Sequence, residues 1–134
     1  MSERLLTIRA QSVVPTSEFH AEFAQKMYNA MSVSFFKYGK VEDAYPHKLS
    51  ALKSLQQRIA KYLATGNTEY LVDVANFAMI EFMRPSVPGA VYKATDSDGS
   101  PGRTNVEGAV TKANNANVPT APEDNSLAKH WGLA

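Results

Sequence analysis

The sequence predicts an all-α protein: a small helical bundle of about three main helices, with an extended, loop-rich C-terminal third. Three observations lead there. Apolar residues recur at helical spacing in three successive stretches between Phe19 and Met83. Ser, Thr, Gly, Asn and Pro sit where those stretches begin and end. Beyond Pro85 large apolar residues thin out and turn formers take over. The chain therefore divides into an N-terminal arm (1–15), a helical core (16–85) and a Gly/Ser/Asn/Pro-rich tail (86–134).

The opening segment from Leu5 to Val14 alternates loosely and holds β-branched residues before Pro15, as a short strand or an extended arm would. Thr16 and Ser17 then offer N-caps, with Glu18 and Glu22 in the first turns, where the helix dipole favours negative charge. Phe19, Phe23, Met27, Ala30 and Met31 follow at helical spacing, so a helix is expected from about residue 16 to about 34, with Tyr38-Gly39 as its stop. A second helix is expected from about 46 to 64. Pro46 suits its first turn, and Leu49, Leu52, Leu55, Ile59 and Leu63 form its apolar stripe. Gly66 suits a left-handed C′ position, and Asn67 or Thr68 can cap the third helix, about 68 to 83. That helix, TEYLVDVANFAMIEFM, leaves no polar side for solvent, which places it inside the domain or across a subunit interface. In the tail, Trp131 is a candidate anchor.

Composition narrows the function classes. Fourteen basic and thirteen acidic residues give a net charge of +1, which offers no general attraction to nucleic acid or anionic lipid. Without cysteine there is no disulfide framework and no thiolate metal site. His20, His47 and His130 lie far apart and form no metal-binding pair. The first residues lack a signal-peptide core, and no apolar run approaches the roughly 20 residues that span a bilayer, so a cytoplasmic protein is expected. No nucleophile elbow, kinase signature, P-loop or Rossmann glycine pattern appears. With about 85 residues to do the burying, oligomerisation, as a dimer or larger, is expected as well.

The third helix carries the polar residues that need a reason. Glu69, Asp73 and Asn76 fall at i, i+4 and i+7 and share one face. A carboxylate and an amide among Val, Ala, Phe and Met need a basic side chain, a metal ion or polar caps from neighbouring helices. One reading is a hard-cation site for Mg²⁺ formed by Glu69 and Asp73 together with Glu18 and Glu22 of the first helix. The other has Glu18 and Glu22 merely complementing a helix N-terminus while Asp73 pairs with Arg58 or a lysine. A second cluster is basic and aromatic: Lys37, Tyr38, Lys40, Tyr45, His47, Lys48, Arg58 and Tyr62. Such residues can stack a base and contact phosphates, or simply meet water. The oxygen-rich segment DSDGSPGR (Asp96 to Arg103) lacks the spacing and terminal Glu of a calcium loop.

At TGNTEYLVDVANFAMIEFM (Thr65 to Met83) the sequence resembles bacteriophage-encoded proteins and the MazG-like, all-α nucleoside triphosphate pyrophosphohydrolases. Asp73, Ala75, Asn76 and Phe77 match the pattern of that family's metal helix. The family's carboxylates follow ExxE and ExxD spacings, whereas Glu18/Glu22 and Glu69/Asp73 are each one residue further apart. The resemblance implies an oligomeric Mg²⁺-dependent enzyme of the host cytoplasm that cuts between the α and β phosphates. On that reading Glu69 and Asp73 are catalytic, and Glu18, Glu22, Glu69 and Asp73 bind metal. Asn76, Lys48, Arg58, Tyr62, Tyr45 and Lys37 would contact the nucleotide. Two alternatives stand beside it: a non-catalytic protein that sequesters a nucleotide or cyclic nucleotide, and a structural oligomeric adaptor in which Asn76 sets the register of an interface.

Overall fold

The structure, a computed structural model, describes residues 14–95 and 99–111. It is all-α in its main body, and the chain divides into two units on either side of Ala90 and Val91.

In the first unit, α1 runs Ala21–Tyr38, α2 Ala51–Thr65 and α3 Glu69–Met83, with a single 3₁₀ turn at Val41–Asp43 after α1. α1 begins about five residues later than its capping signals predict. Residues 16–18 form a turn closed by Glu18 N–H donating to the Pro15 carbonyl at 2.9 Å, and the helix is capped instead by His20, whose Nδ1 accepts from Phe23 N–H at 3.0 Å. The helix also continues past residue 34 to Tyr38, where Gly39, at φ 86°, ends it. α2 likewise starts later than expected. Pro46 does not open it: the Tyr45–Pro46 peptide bond is cis, within turns that run to Leu49. The cap is Ser50, its Oγ accepting from Lys53 N–H at 3.1 Å. Leu49 consequently drops out of the apolar stripe and is 53% exposed.

The link between α2 and α3 follows the sequence closely. Gly66 takes the left-handed conformation (φ 70°, ψ 9°) and donates to the Tyr62 carbonyl at 2.7 Å. Asn67 Oδ1 accepts from Glu69 N–H at 3.0 Å, so the three residues Gly66, Asn67 and Thr68 reverse the chain, and the first two help satisfy the ends of both helices. α2 and α3 therefore pack as an antiparallel hairpin, and among the described residues they supply the buried apolar core: Ala51 and Leu55 from one, Val72 and Ile80 from the other. No residue of α1 is buried. The helix lies along α3, tied to it where Asn76 Nδ2 donates to the Met27 carbonyl at 3.1 Å. Near its far end Phe35 shares a depression with Met83. Two such points, eight residues apart on α1 and seven on α3, make the helices parallel. α3 ends before Pro85, with Glu81 Oε2 accepting from Ser86 N–H at 2.7 Å and from Ser86 Oγ at 2.8 Å.

In the second unit, Arg103–Thr104 (β1) and Val110–Thr111 (β2) pair antiparallel. Asn105 organises the turn between them, its Oδ1 accepting from Glu107 N–H at 3.0 Å and Ala109 N–H at 2.8 Å. The expected arm, apart from Val14 and Pro15, Trp131 and residues 96–98 of DSDGSPGR lie outside the described residues. Among the described residues, no helix is long and apolar enough to cross a membrane.

Candidate functional site

The hairpin geometry brings Arg58, at the middle of α2, against the α3 face that carries the polar residues. Arg58 Nε donates to Asp73 Oδ2 at 3.2 Å, an ion pair whose side chains are 34% and 31% exposed. The same guanidinium lies 5.3 Å from the centre of the Phe77 ring, one helical turn beyond Asp73. A cation over an aromatic face contributes about 0.5–2 kcal/mol depending on desolvation, so Arg58 is held from two directions. Its contact with Asp73 uses one of five N–H donors, and the planar fork suits phosphate oxygens. Tyr45 is close enough to feel the Arg58 charge. Burial pushes its phenol above the usual 10.0, and the guanidinium pulls it partly back.

Arg58 also lines an open depression of about 410 Å³ along α2, together with Gln57, Ala60, Lys61 and Ala64. Lys61 is exposed and Phe77 half-buried. Neither was singled out from the sequence as a site residue. Lys61 falls three residues after Arg58 and Phe77 four after Asp73, spacings that place each beside its neighbour once α2 and α3 are known to pair.

Asn76 is the buried polar residue of the core, at 6% exposed. Its amide nitrogen reaches Met27, while Oδ1 is buried with no hydrogen-bond partner among the described residues. It thus faces α1 rather than the Arg58 depression. Glu69, in the first turn of α3, is exposed. Glu22 is level with this end of α3 because the helices are parallel, but it lies roughly 140° around α1 from Met27, which faces α3. Its carboxylate is 3.7 Å from Lys26 Nζ. Glu18 belongs to the exposed turn before α1. Glu22 therefore points away from the α3 face on which Glu69 and Asp73 lie. Among the described residues no three His, Asp or Glu side chains stand where they could hold a metal ion, and Asp73 already has a cationic partner. As placed, these residues do not form a Mg²⁺ centre.

Of the other expected contacts, Tyr62 lies half-buried in the second half of α2, toward the end where α3 begins. Lys37, in the last turn of α1, and Lys48, in the exposed turn before α2, both belong to the opposite end. The structure thus gathers Arg58, Asp73, Phe77 and Tyr45, and leaves Lys37 and Lys48 apart from them. Set against known families, curated proteins and solved structures, the chain finds no match.

Proposed function

We propose that the helical unit binds a nucleotide, with Arg58 as the phosphate contact. The observation that carries this reading is the arrangement of Arg58: anchored by Asp73, laid over Phe77, and lining a depression that also takes in Lys61. An arginine fixed in this way loses little side-chain entropy on meeting an anion. Phe77, Tyr45 and Tyr62 provide nearby aromatic surface.

A catalytic version, the MazG-like pyrophosphohydrolase, draws on the match at Asp73, Ala75, Asn76 and Phe77. It requires carboxylates that stand apart in the free chain to act on a common ion, and the Asp73→Ala variant should then lose all turnover. The two versions separate in one experiment: thermal shift with nucleoside triphosphates and cyclic nucleotides, with and without Mg²⁺, followed by chromatography of the ligand. A ligand at a hundred times its Kd adds about 2.7 kcal/mol of apparent stability, enough to move the midpoint visibly. A shift with intact ligand supports binding alone. A Mg²⁺-dependent shift with release of monophosphate and pyrophosphate supports the enzyme. No shift with any nucleotide overturns both and favours an oligomeric adaptor, the reading to which the small core points.

A further inference from the structure

Between Asp43 and Glu69 the chain carries four Lys or Arg residues, Lys48, Lys53, Arg58 and Lys61, and no acidic one. α2 is therefore a helix with cations and no carboxylate of its own, in a chain whose net charge is only +1. Arg58 finds its counter-charge on α3, in Asp73. Lys61 has none: among the described residues its ammonium pairs with no carboxylate. Both side chains line the open depression of about 410 Å³, which Gln57, Ala60 and Ala64 complete. Two cations, one amide and two short apolar side chains, with no carboxylate among them, make a surface suited to an anion. Gln57, Ala60, Lys61 and Ala64 are all exposed, so a ligand meets them without rearranging the helix.

The two cations do not converge on one point. Arg58 is drawn toward α3 by Asp73 and lies over Phe77. Lys61 stands about 4.5 Å further along the helix axis and about 60° around it, on the side away from the buried Ala51 and Leu55. We propose that Lys61 is the second phosphate contact of this site, and that Arg58 and Lys61, without a metal ion, hold two linked phosphates. The proposal rests on the nucleotide reading and narrows it. The ligand carries at least a diphosphate, and a cyclic nucleotide, with one phosphodiester and a single charge, fits less well. The fixed guanidinium meets one phosphate in a set orientation, while lysine, a point charge on a flexible stem, follows the next. Gln57, one turn before Lys61, can donate its amide N–H to the same phosphate. Among the described residues no carboxylate lines the depression to recruit a metal ion there.

The test is calorimetric titration of the full chain, in EDTA, with the 5′-mono- and 5′-diphosphates of adenosine, guanosine, cytidine and uridine. For a base that binds, the diphosphate should be preferred by roughly 5-fold or more, the upper end for a contact to an exposed lysine. Lys61→Gln changes an exposed position to another good helix former, so the fold should persist. It should abolish most of the preference and leave monophosphate affinity unchanged, and Lys61→Arg should restore the preference. Added Mg²⁺ should weaken diphosphate binding, because it competes for the same oxygens. Equal wild-type affinity for mono- and diphosphate overturns the proposal and leaves the nucleotide reading in place. So does a preference undiminished in Lys61→Gln, a variant that loses both ligands equally, or diphosphate binding that needs Mg²⁺. Absence of binding by every nucleotide overturns both.

Discussion

Asn76 and Arg58 show two ways of housing polarity in a thin core. Asn76 spends its amide N–H on the backbone of another helix and leaves Oδ1 without a partner among the described residues. An unpaired buried acceptor is unfavourable, so the residue earns its place by fixing where α1 lies on α3. Asn76→Asp should destabilise the unit by about 1–3 kcal/mol, because the carboxylate has no N–H for Met27 and brings a buried charge. Urea unfolding at neutral pH measures this; unchanged stability would mean that α1 is not held by this bond. Tyr45 yields a prediction in pH. Its phenol ionises less readily in the folded chain than in the unfolded one, so its contribution to stability is intact below pH 10.0 and is lost as pH rises through the higher folded value. Tyr45→Phe should flatten that alkaline decline, as thermal melts between neutral pH and alkaline buffers would reveal. Of the site, the pairing of Asp73 with Arg58 was legible from the sequence, as one of two open readings. A carboxylate on an apolar helix needs a cation, and Arg58 stood on the neighbouring helix. Which direction Glu22 faces was not legible, because that depends on how α1 is rotated against α3.

The hairpin of α2 and α3 is the part of the fold that local signals specify best. Gly66, Asn67 and the apolar stripe from Leu52 to Leu63 all point to the same two helices, and these lie within a residue or so of where expected, except at the start of α2. That start was misread because Pro46 is compatible with a helical first turn. The cap that matters is Ser50, one polar residue before Ala51 in a sequence that offers several candidates. The same ambiguity moved α1: Thr16 and Ser17 look like caps, yet the turn at residues 16–18 intervenes and His20 performs the role. At Gly66 the expectation is sharp enough to test. A Cβ there would meet nothing within 4 Å, so Gly66→Ala changes only the backbone energy of a positive φ. It should destabilise the hairpin by about 1 kcal/mol, measured by denaturant midpoint.

At the scale of the whole molecule, the balance between buried and exposed apolar residues is the governing feature. Phe35, Phe36, Tyr38, Leu63 and Phe82 are each more than half exposed, while among the described residues the buried apolar core consists of Ala51, Leu55, Val72 and Ile80. The apolar periodicity of α3 foretold a helix with no solvent side, but periodicity cannot say whether its cover comes from the same chain or from another. That is why the sequence left both possibilities open. The nucleotide reading belongs to this scale too, since Arg58, Asp73, Phe77 and Tyr45 come from two helices and a turn. Calorimetric titration of the full chain with nucleoside triphosphates, with and without Mg²⁺, tests it most directly against Arg58→Gln/Asp73→Asn, which keeps a neutral pair and removes the cation. Loss of charge-assisted hydrogen bonds worth about 1.5–3 kcal/mol should weaken binding by roughly 10- to 100-fold. Saturable binding by the wild type that falls by this amount in the double variant is the predicted result; absent binding, or equal affinity in both proteins, would contradict it.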